Sequence, residues 1–252
     1  MRVKDIMSSP LMTIDPRVSL GEAVRIMKER KISRLVVVEG EKLVGVLTEK
    51  DIARIEIPRK GTLGPIQVGD IMTKNPITVD PNVTAKRAAE IMLERNIGCL
   101  PVVEGSKGIG IITKLDFAKV CLDFDDVFVG EVMQSGPRTV GLAEKLPQCR
   151  KTMVEEDLVV LPVMEKGNLV GNIVLIDIVE KTVQIEADRV RTMTAGEVMS
   201  PPKVARTDWT LAEAARLMLA ERISGLPVVN PAEELVGLLT KTELAEVARE
   251  RL

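Results

Sequence analysis

The feature that most constrains this chain is a short motif that recurs four times at a nearly constant spacing. Each copy has an acidic residue, a branched apolar residue and a methionine, and successive methionines are 65, 61 and 66 positions apart. The copies are Asp5-Ile6-Met7, Asp70-Ile71-Met72, Glu131-Val132-Met133 and Glu197-Val198-Met199. A fixed period of this length indicates one supersecondary unit repeated along the chain.

Each repeat shows the same order of local patterns. A proline-bearing extended segment follows the methionine and predicts a short strand. Apolar residues at helical spacing then predict an amphipathic helix, as at Leu20, Ala23, Val24 and Met27 in the first repeat. Two apolar segments joined by a short polar turn predict a β-hairpin, and a second helix follows it. The sequence therefore predicts an α/β (α+β) fold made of four βαββα repeats.

Three linkers separate the repeats; the first is rich in Pro and Gly, and the second carries Asp123, Asp125 and Asp126. They place the repeats at residues 1–55, 68–120, 129–180 and 195–252. One such unit has too little core to be stable alone, so the repeats are expected to pack in pairs. Because the chain midpoint falls in the second linker, we expect two modules, at residues 1–126 and 127–252.

Composition argues against several classes of function. With 45% hydrophobic and 29% charged residues and no long apolar stretch, the chain is expected to be a cytoplasmic protein with no membrane partner. A net charge of −2, one Trp and no Tyr make nucleic acid an unfavourable primary partner. The absence of His and of a GxxxxGK[ST] loop argues against an enzyme, and three cysteines without CxxC spacing indicate no metal site.

The ordered motifs together resemble a known family. D-I-M-x-x-x-P, the amphipathic helix, G-x-L-P-V-V, the hairpin and G-h-h-T-x-x-D resemble the CBS domain, and two copies in tandem resemble a Bateman module. The resemblance implies a non-catalytic regulatory protein that needs no cofactor. Its regulatory ligand would be an adenosine-containing molecule (AMP, ADP, ATP or S-adenosylmethionine) bound between paired repeats. It also implies signalling to a partner protein or to a second copy in a homodimer.

The resemblance also implies where the ligand would bind. In this family the Thr and Asp of T-x-x-D meet the phosphate and the ribose, and the partner repeat supplies the adenine pocket. One candidate cleft in the first module comprises Thr48, Asp51, Ala85, Ile97, Gly98 and Cys99. Its pseudo-symmetric mate comprises Thr113, Lys114, Asp116, Leu20, Ile32, Ser33 and Arg34.

The second module departs from the family pattern. Val174 replaces the Thr of T-x-x-D in repeat three, so the cleft at Asp177 lacks the hydroxyl expected at the phosphate. Its remaining candidates are Ser224, Gly225 and Arg206. The other cleft keeps Thr240 and Lys241, but Glu243 replaces Asp and two valines replace the small residues before L-P-V. Both are ranked below the clefts of the first module.

A structural role explains the same residues without a ligand. T-x-x-D at a helix start is an efficient capping arrangement. Arg34 can equally be a solvated residue at the start of a strand. The alternative hypothesis is therefore a scaffold of CBS pairs that associates through helix faces and in which the T-x-x-D motifs serve only as caps.

Overall fold

The computed structural model describes residues 1–105 and 107–252 and confirms the mixed α/β fold and the four repeats. In repeat one the elements are α1 (Val3–Ile6), β1 (Thr13–Ile14), α2 (Leu20–Glu29), β2 (Arg34–Glu39), β3 (Lys42–Thr48) and α3 (Glu49–Ala53). In repeat two they are α4 (Val68–Ile71), β4 (Thr73–Lys74), α5 (Ala85–Glu94), β5 (Cys99–Glu104), β6 (Lys107–Thr113), a 3-10 helix (Lys114–Phe117) and α6 (Ala118–Cys121).

The second half of the chain repeats this order. Repeat three has α7 (Val129–Val132), β7 (Gln134–Ser135), β8 (Val140–Gly141), α8 (Leu146–Glu155), β9 (Val160–Glu165), β10 (Asn168–Val174) and α9 (Leu175–Gln184). A linker helix, α10 (Ala187–Thr192), leads to repeat four. Repeat four has α11 (Ala195–Val198), β11 (Ala205–Arg206), α12 (Leu211–Glu221), β12 (Gly225–Val229), β13 (Leu235–Thr240) and α13 (Lys241–Arg251).

The segment after each recurring methionine joins the sheet of a neighbouring repeat. In repeat two, β4 pairs antiparallel with β3 of repeat one, and in repeat three β7 pairs with β13 of repeat four. A glycine makes room for the crossing chain, since a Cβ on Gly45 would lie 2.6 Å from the Met72 sulfur. These exchanges link repeat one to two and repeat three to four through backbone hydrogen bonds.

Helix packing links repeat one to repeat three and repeat two to repeat four. The helices α2 and α3 pack against α9, while α5 and α6 pack against α13 and α12. Two hydrophobic cores result, one from repeats one and three and the other from repeats two and four. The first core includes Leu20, Met27, Leu47, Leu146, Met153 and Ile178, and the second includes Ala85, Met92, Phe117, Leu211, Met218 and Leu244. Each core thus binds the first half of the chain to the second.

None of the helices in the described part of the chain is both long enough and apolar enough to cross a bilayer. The boundaries of the two modules that the linkers suggested stay a prediction.

Candidate functional site in a central cavity

A cavity of about 520 Å³ lies where the four repeats meet. Its walls come from β-strand ends, helix starts and the turns that precede β5 and β9. From repeats one and two the lining residues are Ser33, Arg34, Val46, Thr48, Glu49, Lys50, Asp51, Arg54, Thr73, Asn75, Pro76, Ile77, Asn96, Ile97, Gly98, Cys99 and Lys114. From repeats three and four they are Gln134, Glu156, Asp157, Leu158, Val159, Val160, Leu238, Thr240, Lys241 and Thr242. The volume falls in the range of small-molecule sites.

The T-x-x-D motif of repeat one forms a helix cap at the cavity wall. One oxygen of Asp51, Oδ2, accepts hydrogen bonds from the backbone N–H of Thr48 at 2.8 Å and from its hydroxyl at 2.7 Å. The backbone N–H of Asp51 donates back to the Thr48 hydroxyl at 3.2 Å. Among the described residues, Oδ1 has only a distant contact, 4.0 Å from Arg54 Nη1. Capping therefore uses one carboxylate oxygen and leaves the other available to a ligand.

The cavity wall at Gly98 is open because this residue has no side chain. A Cβ placed on Gly98 would come within 4 Å of only one group, the Arg34 Nη1 at 3.7 Å. The Gly98 carbonyl accepts a hydrogen bond from that Nη1 at 2.6 Å, and the Ser33 hydroxyl accepts one from Nη2 at 2.7 Å. Arg34 thus bridges repeats one and two at the cavity. It is not a freely solvated side chain.

The cavity wall also includes a buried cluster of opposite charges. Glu49, Lys114 and Lys241 are all buried, and each opens the helix that follows its hairpin. Burial lowers the pKa of Lys241 to about 7; nearby Arg34 adds to this, and Glu49 opposes it. Burial likewise lowers the pKa of Lys114 and raises that of Glu49. Desolvation thus disfavours all three charges. An anionic ligand at the lysines would favour the two ammonium groups and disfavour the Glu49 carboxylate further.

Cys99 lies on the same wall and behaves as a packed thiol. Burial raises its pKa, while Arg34 and Lys241 act weakly in the opposite direction. A thiol with a raised pKa is a poor nucleophile and a poor metal ligand. The described residues contain no cluster of three or more His, Cys, Asp or Glu side chains arranged to hold a metal ion.

In repeat four the acidic side chain that matches Asp51 is hydrogen-bonded within the protein. Glu243 Oε2 accepts from the Thr240 N–H at 2.6 Å and hydroxyl at 2.7 Å, and Oε1 accepts from Gln134 Nε2 at 2.6 Å. Both oxygens are thereby engaged. Val159 and Val160 occupy the positions that Gly98 and Cys99 hold in repeat two, and they too line the cavity.

The T-x-x-D motif of repeat two is also engaged within the protein. Asp116 is buried; its Oδ2 caps Thr113, and its Oδ1 accepts from the Ser8 hydroxyl and from Lys119, both at 3.0 Å. Neither Thr113 nor Asp116 lines the cavity, whereas Lys114 between them does.

Several predicted residues lie elsewhere. Leu20 and Ala85 are fully buried core residues. The linker residue Ile66 covers the start of the Leu20 helix, and the N-terminal residue Met1 covers the start of the Ala85 helix, each through a backbone hydrogen bond. Ile32 packs against the core of repeats one and three. Asp177 forms an ion pair with Lys28 at 2.6 Å.

The remaining predicted residues belong to repeat four. Arg206 forms an ion pair with Asp208 at 3.0 Å. Ser224 accepts a hydrogen bond from Lys241 at 3.3 Å. Gly225, the first residue of β12, packs near Val160. Ser224 and Gly225 thus contact residues that line the cavity, Lys241 and Val160, although neither belongs to the lining itself.

Sequence reasoning missed several cavity residues. Glu49 and Lys50 occupy the two central positions of T-x-x-D in repeat one, where the matching Lys114 of repeat two had been noticed. Asp157 occupies the position of Asn96, and both have positive φ, 55° and 49°. Aligning the four repeats position by position would have identified all of these residues.

Comparison with known proteins gives a consistent family. The family model of the CBS domain matches residues 3–57, 68–123, 129–183 and 195–250. The uncharacterized protein MJ1225 of Methanocaldococcus jannaschii is 27% identical over 275 residues, which cover 96% of this chain and 96% of that protein. Its crystal structure, of a protein proposed as an archaeal homolog of g-AMPK, has a TM-score of 0.84 at 24% identity over 98% of this chain and 99% of its own. At this identity the likeness is one of fold.

Two further similarities differ in extent. The crystal structure of an uncharacterized conserved protein from Pyrococcus horikoshii has a TM-score of 0.68 at 25% identity, over 98% of this chain and all of its own (100%). An inosine-5'-monophosphate dehydrogenase of Korarchaeum cryptofilum is 40% identical over 116 residues, 46% of this chain but only 23% of that enzyme. The similarity to the dehydrogenase is therefore confined to a minor part of its length.

Proposed function

This chain belongs to the CBS domain family, and from that premise we propose that it is a non-catalytic sensor of a phosphorylated adenosine bound in the central cavity. Binding of the nucleotide changes the packing of the four repeats. A partner protein or a second copy of the chain then responds to that change. Such coupling requires that the nucleotide bind the two packing states with different affinity.

The observation that carries the proposal is the pairing of a free carboxylate oxygen with an open wall. Asp51 Oδ1 is free of close partners among the described residues, and a carboxylate oxygen can accept hydrogen bonds from a ribose diol. In the same cavity, Gly98 lets a flat base approach the backbone. In the cleft of repeats three and four, Glu243 is engaged and valines take the place of the glycine, so we assign the nucleoside to the cleft of repeats one and two.

The charges favour a phosphorylated ligand. Arg34, Lys50, Lys114 and Lys241 all line the cavity, and a phosphate chain provides strong acceptors for such donors. S-adenosylmethionine carries a sulfonium and an ammonium group beside its one carboxylate, so it offers these cations less negative charge than a phosphate does. We therefore favour AMP, ADP or ATP over S-adenosylmethionine.

Thermal melting of the full chain with AMP, ATP and S-adenosylmethionine in turn tests the proposal. A ligand at about 100 times its Kd is expected to add about 2.7 kcal/mol to the free energy of unfolding, which raises Tm by several degrees. A shift with S-adenosylmethionine alone would contradict the phosphate assignment. No shift with any of the three would favour the scaffold, in which T-x-x-D only caps helices.

Replacement of Gly98 by valine is expected to weaken nucleotide binding about tenfold with little change in Tm. The added side chain would fill the open wall as Val159 does in repeat three, and overpacking of a fitted site costs about 1–3 kcal/mol. The backbone accepts the change because a Cβ there meets no atom closer than 3.7 Å. Isothermal titration calorimetry measures the affinity, and Gly98→Ala serves as the matched control with a smaller loss. Equal affinity for Gly98→Val and the unmodified chain would place the base elsewhere.

A further inference from the structure

Among the described residues that line the cavity, one ion pair joins the two halves of the chain. Lys50 Nζ in α3 of repeat one lies 2.7 Å from Asp157 Oδ1, in the turn after α8 of repeat three. Both residues line the cavity, and Lys50 is adjacent to Asp51. Within the described structure, the Asp157 carboxylate of repeat three thus forms an ion pair with Lys50 of repeat one, beside the candidate nucleoside site.

We propose that Asp157 is a specificity-determining residue that competes with the ligand's phosphate for Lys50. This inference rests on the proposed function, because it assumes a phosphorylated nucleotide in the cleft of repeats one and two. A phosphate that binds Lys50 displaces the Asp157 carboxylate. Displacement removes a direct link between repeats one and three, so phosphate binding is coupled to their relative packing.

The Lys50–Asp157 ion pair is weak enough for a phosphate to displace the carboxylate. The side chains of Lys50 and Asp157 are 32% and 41% exposed, and ion pairs with such access to water are weak. A phosphate chain carries more charge than a carboxylate and forms stronger charge-assisted hydrogen bonds. The neighbouring cations Lys114 and Lys241 also favour the phosphate over a single carboxylate. The pair therefore persists without ligand and yields to a phosphate.

The backbone holds Asp157 in place and permits a conservative test. Asp157 has a φ of 55°, in the left-handed region that Asn and Asp tolerate better than most residues. The matching residue of repeat two is Asn96, with a φ of 49°. Asp157→Asn therefore removes the charge and preserves the turn.

The adjacent Glu156 provides a matched control in the same cavity. It lines the cavity as Asp157 does, but its ion pair is with Arg138 at 3.4 Å instead of Lys50. Glu156→Gln removes one negative charge from the same region without releasing Lys50. A difference between the two variants thus separates competition at Lys50 from the general field of the cavity.

The test is isothermal titration calorimetry of ATP, AMP and adenosine with the full chain. We expect Asp157→Asn to raise ATP affinity about three- to tenfold, AMP affinity less, and adenosine affinity less than twofold. Glu156→Gln is expected to change ATP affinity by at most twofold. In a Lys50→Gln background the effect of Asp157→Asn on ATP is expected to disappear.

Several outcomes would overturn the inference. They are an unchanged ATP affinity in Asp157→Asn, equal gains in Asp157→Asn and Glu156→Gln, a gain for adenosine as large as for ATP, or a gain that survives Lys50→Gln. If the unmodified chain binds none of the three ligands, the proposed function fails together with this inference. If it binds them and Asp157→Asn has no effect, only the inference fails. Unchanged Tm values of the variants verify that each one folds.

Discussion

Replacement of Asp51 by asparagine is expected to weaken nucleotide binding 30- to 150-fold. The amide oxygen can still accept the cap hydrogen bond from the Thr48 N–H, but the amide nitrogen replaces the free Oδ1 and donates where the ribose hydroxyls also donate. The lost hydrogen bonds to a charged acceptor correspond to about 2–3 kcal/mol. Isothermal titration calorimetry of the full chain with AMP and ATP measures the change.

Asp116→Asn is the matched control for this prediction. Asp116 has the same position in repeat two, but the Ser8 hydroxyl and Lys119 engage its second oxygen, and it lies outside the cavity lining. We expect Asp116→Asn to reduce the free energy of unfolding by about 1–2 kcal/mol and to preserve nucleotide affinity. If Asp51→Asn bound nucleotide normally and Asp116→Asn did not, the ligand would belong in the mate cleft that the sequence also suggested.

Local patterns were sufficient to predict most of the fold. The apolar spacing at Leu20, Ala23, Val24 and Met27 corresponds to the buried face of α2. Ser19 caps that helix by accepting from the Glu22 N–H at 3.3 Å, and a Ser three positions before a Glu is a spacing typical of a helix start. These features depend on residues close in sequence, so periodicity and spacing reveal them.

Contacts between distant repeats could not be predicted in the same way. The recurring Asp-Ile-Met motif ends a four-residue helix, and the chain after it crosses to the sheet of a neighbouring repeat. The packing of repeat one on three and of two on four was equally hidden, because amphipathic helices show that a face is buried but not against what.

The residues of the candidate site likewise fall into those that local motifs identify and those that depend on contacts between distant repeats. Thr48, Asp51 and Gly98 were identified from motifs, and the structure brings them to one cavity. Leu20 and Ala85 occupy the family's positions, but chain segments from neighbouring repeats cover them. The pairs Lys50 with Asp157 and Gln134 with Glu243 join residues more than 100 positions apart, and no local spacing encodes such contacts.

The buried ammonium of Lys241 makes the stability of the protein depend on pH. Its pKa of about 7 in the folded protein lies below the usual value near 10.5. Between pH 7 and 10.5 the unfolded chain therefore binds more protons at this residue, and the free energy of unfolding rises with pH across that window. Below pH 7 both states are protonated, and the full cost of burying the charge remains.

Lys241→Met is consequently expected to stabilise the protein by roughly 2–4 kcal/mol at pH 6 to 7, with the gain shrinking towards pH 10. Methionine has an unbranched side chain of similar length. The substitution removes a like charge close to Arg34, Lys50 and Lys114. Glu49 still has Arg34 and Lys50 as positively charged neighbours. Urea unfolding of both proteins at several pH values measures the difference. A destabilised variant at pH 6 would show that Glu49 needs Lys241 as its partner. A difference that does not change with pH would contradict the lowered pKa of Lys241. A bound phosphate would favour the protonated form of Lys241. ATP binding to the unmodified chain near pH 8 is therefore expected to take up a proton, and ATP binding to Lys241→Met is not.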